Sequence, residues 1–349
     1  MHGPRPIVLF AALSLAVLAL AAGINPLSNN DVWLHLTTGK LILDRMEIPT
    51  VDEYSFTRPG AAYVTHEWLA QVFLHLVHEA AGVTGLIALK PLALFCLGGL
   101  VALSGLRLGA GPVASYWGAV LAMGAATSHL FVRPHLFTFV LLAASAFVLC
   151  RPARGRLSTL RVLLPLQILW ANLHAGFILG IAAAMLLGAW ATALVLAAGS
   201  ALNPRGFGVY RFILVFTDPV FRRRIREWAG PFEEPFFGSG HFWFYLLVLA
   251  LTILAAVHHG RARRFRAVLL MAGFAALSLG SKRNVSLLGI VAAPWIASAC
   301  AERAGSRSAV AGRGLAWSIA AVVAIAVLAA SFGVPHETGR ARLPGLGVA

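Results

Sequence analysis

The sequence predicts an all-α, polytopic transmembrane bundle of about ten or eleven spans. Three observations carry that prediction. The 349 residues are 59% hydrophobic and only 12% charged, with mean hydropathy +0.80, whereas a soluble domain carries about 25% charged residues. The apolar residues fall in long continuous runs, not in the alternating segments of roughly ten residues that a barrel requires. Arg and Lys gather in short loops between those runs, as they do in loops held in the cytoplasm. The net charge of +15 is therefore assigned to topology, and nucleic acid is excluded as a partner.

In chain order, the apolar runs 7–24, 84–105, 112–131, 135–150, 157–173, 176–200, 241–259, 266–281, 285–300 and 314–333 are the candidate spans. The first reads as an uncleaved span, although LALAAG would also suit a signal-peptide cleavage site. Residues 151–161 and 261–266 carry four Arg each, and 302–313 carries three Arg against one Glu. These loops and the N-terminus are placed in the cytoplasm. A single membrane domain, 1–333, then ends in a short disordered tail, 334–349. Its long outer loops are 25–66 and 203–240.

Two stretches fit this scheme poorly. HEWLAQVFLHLVHEAAG (66–82) is either a short crossing or an interface helix, and Arg107 favours the latter. Residues 176–203 read as one span, yet an extra crossing is needed before His241, which a tight hairpin within 176–203 would supply. The three cysteines show no metal-ligand or disulfide spacing.

The same scheme sends the polar motifs to one extracytoplasmic face. Asp31 stands at the mouth of the first span, beside Trp33 and four residues before His35, so both side chains share a helix face. A half-buried carboxylate there can serve as a general base. Asp44, Glu47 and Glu53 read as solvated acids. Thr65, Glu67 and Trp68 read as a helix start, with Thr65 the cap and Glu67 at the positive dipole end. His66 has no such explanation. FVRPHLF supplies Arg133 and His135; Arg133 is either a snorkelling side chain or a phosphate ligand. LWANLHAGF supplies Asn172 and His174, and SKRN supplies Arg283 on the outer side. His35, His66, His135 and His174, with Asp31 or Asp52, could hold a divalent metal such as Zn, Mn or Fe, although no compact ligand pair is present.

The motifs D-x-W-x-H-L-x-x-G-x-x-I (31–42), I-P-x-x-D-x-x-S-F-T (48–57) and H-E-W-L-A (66–70) resemble bacterial multi-span proteins of the glycosyltransferase C (GT-C) type. RPH at 133–135, LPLQILWANLHAGF at 164–177, NPRG at 203–206, IREW at 225–228 and SKRN at 281–284 extend the resemblance over most of the chain. The resemblance implies a bacterial inner-membrane enzyme that passes a sugar from a polyprenyl-phosphate donor to an acceptor outside, with inversion. Asp31 would be the catalytic base. His35, Asp52, His66, Glu67, Arg133, His135, Asn172, His174 and Arg283 would bind substrate. One departure is that Asn30-Asp31-Val32 leaves a single carboxylate where many relatives carry an acidic pair. The same residues are also compatible with a transporter or flippase for a lipid-linked or anionic solute, and with a non-catalytic partner in envelope polysaccharide assembly.

Overall fold

The computed structural model of the chain describes residues 5–150, 155–215, 225–233 and 236–304. The run 314–333, the tail 334–349 and Arg222–Arg224 lie outside the described residues. Within them every regular element is helical, apart from one isolated bridge between Val51 and Ala62. The helices are α1 (Arg5–Gly23), α2 (Asp31–Arg45), α3 (Trp68–Arg107), α4 (Pro112–Thr127), α5 (His135–Cys150), α6 (Arg156–Leu173), α7 (Ile178–Leu186), α8 (Trp190–Gly199), α9 (Gly208–Val215), α10 (Gly240–Arg261), α11 (Phe265–Gly280) and α12 (Val285–Ala304).

Trp68–Arg107, Gly240–Arg261 and Lys282–Ala304 are long and apolar enough to cross a membrane. With the composition, they mark a membrane protein. Val8–Gly23, His135–Cys150 and Phe265–Gly280 are apolar but shorter.

The core helix is α12, whose residues from Val285 to Ala299 are all buried. Small residues set how closely it packs. A Cβ at Gly289 would strike the Ala125 methyl, and one at Gly118 would press on the Ala293 carbonyl at 3.2 Å. Such positions let apolar helices approach each other where no water drives them together.

Of the stretch 66–82, residues 68–82 are the first part of α3. That helix runs 40 residues and bends at Gly82, whose φ of +58° and ψ of −156° suit only glycine. The part after the bend spans about 37 Å at 1.5 Å per residue. The part before it carries α2. A Cβ at Gly39 would overlap the Gln71 carbonyl, so α2 lies directly on the α3 backbone. Val32, His35, Leu36 and Ile42 are buried there, while Trp33 and Leu34 remain 51% and 37% exposed.

The run 176–200 is a hairpin, not one span. It enters through a 3₁₀ turn (Ala175–Phe177), runs through α7, turns at Gly188 (φ +73°) and returns along α8. Periodicity alone did not separate these limbs, because both are uniformly apolar. The hairpin tip approaches Arg266, which lies 3.1 Å from an ideal Cβ on Gly188.

The polar contacts sort to two ends of the bundle. At one end Arg107 donates to the Phe147 carbonyl at 2.7 Å, and His258 and Arg264 both meet Glu302. At the other end lie the loops 24–30, 46–67, 128–134 and 200–207 and the turns at 174–177, 225–233 and 281–284. Lys90, only 2% exposed, ties the first of these loops to α3 by bonding the Asn25 carbonyl at 2.7 Å and its side-chain oxygen.

Candidate functional site

Asp31 is the first residue of α2, so its carboxylate sits at the positive end of the helix dipole. Its backbone N–H donates to Asn29 Oδ1 at 2.8 Å, which fixes how the chain enters the helix. The carboxylate forms an ion pair with Arg133, carried by the loop between α4 and α5. The other arm of the Arg133 guanidinium, Nη1, holds Glu227 at 2.8 and 3.0 Å. One arginine therefore bridges two carboxylates from distant segments.

Glu227 belongs to a 3₁₀ turn (Arg226–Trp228) strapped to the start of α12. Ser281 Oγ donates to the Glu227 carbonyl at 3.1 Å, and the Lys282 N–H donates to the Ala229 carbonyl at 3.0 Å. The strap sets the Arg283 guanidinium over the Trp228 ring, 4.8 Å from its centroid. Among the described residues Arg283 has that stacking contact but no hydrogen bond or ion pair.

Beside this group lies a second one centred on Glu67, whose side chain is 14% exposed. Glu67 Oε1 lies 3.3 Å from His66 Nε2 and 3.4 Å from His174 Nε2, and Oε2 lies 4.0 Å from His35 Nδ1. Burial alone would raise the Glu67 pKa. The imidazoles, His66 foremost, outweigh burial and hold it well below the usual carboxylate range.

The tautomer of His174 follows from its neighbours. Its Nδ1 accepts the Gly176 N–H at 2.9 Å and lies 2.8 Å from Thr138 Oγ1, which itself accepts the Trp170 indole N–H at 2.9 Å. An N–H aimed at Nδ1 requires a lone pair there, so the ring proton of neutral His174 is on Nε2, facing Glu67. Burial pushes its pKa down to about 4, against the opposing pull of Glu67. Burial also lowers His35, again opposed by Glu67.

The two groups act on each other. Arg283 lies within electrostatic reach of Glu227, Arg133, Glu67 and Asp31, and His35 within reach of Glu67, Arg133, Asp31 and His66. The structure thus gathers Asp31, His35, His66, Glu67, Arg133, His174 and Arg283 from five separate segments.

The other three candidates have polar atoms committed to the scaffold. Asp52 Oδ1 accepts the N–H groups of Tyr54 and Ser55 at 2.8 Å each, an Asx turn that shapes the loop. His135 Nε2 is 2.7 Å from the His129 carbonyl. Asn172 accepts the Trp68 indole N–H at 2.9 Å and donates to the Ile168 and Leu202 carbonyls. Thr65 does not cap α3 but donates to the Pro49 carbonyl at 2.5 Å; Glu67 itself takes the N-cap position.

Glu227 is the member that sequence reasoning missed. It is a single acid in the basic stretch FRRRIREW, where it reads as charge balance. Among the described residues no group of three or more His, Cys, Asp and Glu is arranged to hold a metal ion; the imidazoles face a carboxylate instead. A cavity of ≈ 380 Å³ opens against His66, walled by Trp68, Thr65, Asn203, Arg205 and Val209.

No protein-family model, curated protein or solved structure matches the chain. The GT-C resemblance rests on the motifs themselves.

Proposed function

We propose that this chain is a multi-pass inner-membrane transferase of the GT-C type. It moves a sugar from a polyprenyl-phosphate donor to an acceptor hydroxyl on the extracytoplasmic face. The observation that carries this reading is the Asp31–Arg133–Glu227 bridge beside Arg283 at one end of an apolar bundle. Such a reaction needs a carboxylate next to cations in a partly dehydrated site.

In this reading the acceptor oxygen attacks the anomeric carbon from the side opposite the phosphate. The new C–O bond forms as the bond to the phosphate oxygen breaks, which inverts the centre. The acceptor proton passes to Asp31, and the electron pair leaves on the lipid phosphate. Arg133 orients Asp31, and Glu227 shares the guanidinium charge so that it does not fall wholly on the base. Glu67 and its imidazoles hold the floor of the acceptor side, where the cavity opens at His66. The N-terminus is cytoplasmic in this orientation, and the Arg-rich end of the bundle faces the cytoplasm.

The test is transfer of labelled sugar from a polyprenyl-phosphate hexose by the full chain in proteoliposomes. Asp31→Asn is expected to cut turnover by about 10²–10⁴-fold while leaving donor binding intact. An Asn variant as active as the native chain would overturn the assignment, as would a native chain that transfers no polyprenyl-linked sugar.

A further inference from the structure

The cavity at His66 carries a cation that the transfer step does not use. Its ≈ 380 Å³ lies within the range of small-ligand sites, about 300–1,000 Å³. Ile48, Trp68, Ala171 and Val209 give the wall apolar surface, and Thr50, His66 and Arg205 add polar groups. Among the described residues that wall it there is no Asp or Glu. The acids that neighbour these residues in the chain are turned elsewhere. Glu67 Oε1 faces His66 and His174, and Asp52 Oδ1 accepts the N–H groups of Tyr54 and Ser55.

Arg205 is held in place in advance. Asn203 Oδ1 accepts the Arg205 N–H at 2.8 Å, and Asn203 Nδ2 donates to the Ser200 and Gly206 carbonyls at 2.6 and 3.0 Å, which builds the NPRG turn. Arg205 Nη2 then donates to the Tyr63 carbonyl at 3.1 Å, across 142 residues of chain. That bond fixes the guanidinium but fills only part of its fork, and among the described residues no carboxylate takes the rest. A planar fork fixed at a wall without acids is complementary to a carboxylate or a phosphate. Trp68 selects the body that carries the charge. Its indole N–H is spent on Asn172 Oδ1 at 2.9 Å, so the ring offers the cavity apolar surface only. A pyranose has an apolar C–H face to set against an indole and a hydroxyl rim for groups such as Thr50 and His66.

We propose that this cavity holds an acidic sugar, a pyranose bearing a carboxylate or a phosphate, with Arg205 on the anionic group and Trp68 against the ring. This rests on the transferase reading above and names the chemical class of its acceptor. Arg205 is then the residue that selects for charge.

The test is direct binding to the full chain in nanodiscs of zwitterionic lipid, with glucuronate, glucose 6-phosphate, glucose and inorganic phosphate as probes. The native chain is expected to hold one of the two acidic sugars about 10–100-fold more tightly than glucose, and the tighter one identifies the anionic group. Arg205→Gln should erase that preference, and Arg205→Lys should keep part of it. Thr50→Trp, which fills the cavity from an exposed wall position, should weaken the acidic sugar and glucose alike. Equal binding of acidic and neutral sugars by the native chain overturns the proposal. So does a Gln variant, shown to be folded by its thermal unfolding, that keeps the native preference. If inorganic phosphate binds as tightly as the acidic sugar, the site serves a free anion and the sugar assignment falls. If anionic phospholipid in the nanodisc displaces the acidic sugar, the occupant is a lipid headgroup and the assignment falls as well. If Thr50→Trp changes nothing, the sugar binds elsewhere and the cavity assignment falls. Selective binding without any sugar transfer by the native chain would remove the transferase reading and leave the acidic-sugar site standing. Transfer to neutral acceptors without selective binding would do the reverse.

Discussion

Asp31 and Arg133 are separated by 102 residues in the chain and joined in one ion pair, with Glu227 on the opposite arm of the same guanidinium. The bridge needs a planar fork. Lysine offers a point charge that cannot hold two carboxylates in fixed directions. Arg133→Lys is therefore expected to lower transfer roughly tenfold or more while the chain stays folded. A double-mutant cycle on Asp31→Asn and Arg133→Gln, read by thermal unfolding in detergent, should give a coupling of about 0.5–3 kcal/mol. A coupling near zero would show that the pair is not maintained.

His174 makes stability depend on pH. Its pKa is about 4 in the folded protein, against 6.5 for the free side chain. Between those values the unfolded chain binds the extra proton, so acid favours unfolding. The stabilisation from keeping this imidazole neutral is complete above pH 6.5 and is lost as the pH falls toward 4. The full loss is about 3 kcal/mol. His174→Asn retains an acceptor for the Gly176 N–H and removes the titration. Its melting temperature should decline less between pH 7 and pH 4.5 than that of the native chain. Parallel pH profiles would refute the assignment.

The seat of α2 on α3 rests on the missing side chain of Gly39. Gly39→Ala must push the helices apart at the Gln71 carbonyl, and a loss of about 1–3 kcal/mol is expected. Gly99, in open space on the same long helix α3, is the control. Gly99→Ala should be neutral or stabilising by up to about 1 kcal/mol. Denaturation of both variants in one detergent decides the matter.

Lys90 holds the linker that delivers Asp31. Lys90→Met preserves most of the volume but removes the bonds to Asn25. Amide exchange across residues 25–30 should quicken at least roughly tenfold, because a loop stripped of its anchor opens locally. Unchanged exchange would mean that the linker is held by other contacts.

Orientation can be read by labelling. Phe56 and Arg261 are exposed at opposite ends of the bundle. With Cys96, Cys150 and Cys300 replaced, Phe56→Cys should react with a membrane-impermeant maleimide on intact cells, and Arg261→Cys only after permeabilisation. The reverse pattern would invert the topology.

The all-helical, apolar architecture was legible in the sequence because long hydrophobic runs report segments that avoid water. Asp31, His66, Glu67, Arg133, His174 and Arg283 could be singled out because each polar group is out of place beside an apolar run. What remained hidden depends on partners. The charge pattern calls for a hairpin within 176–203, which α7 and α8 form, but nothing in the run AAAMLLGAWATALVLAAG marks Gly188 as its turn. Asn172 and His135 are indistinguishable from His174 in sequence; only the structure shows their hydrogen bonds to scaffold carbonyls and the approach of His174 to Glu67. Glu227 is masked by the arginines that precede it, and its role follows only from the strap that joins it to Ser281.

The exposed Trp33 and Leu34 lie two and three residues beyond Asp31, on the face of α2 turned away from α3. Indole rings settle at the headgroup level, so under the proposed topology the lipid surface would hold this helix at a set depth. A thinner or thicker host bilayer would load the pairing of Asp31 with Arg133 on its separate loop, and under the transferase reading would change turnover without any ligand. Reconstitution in lipids of graded acyl length, comparing native protein with Trp33→Ala, should show a thickness optimum that the variant loses.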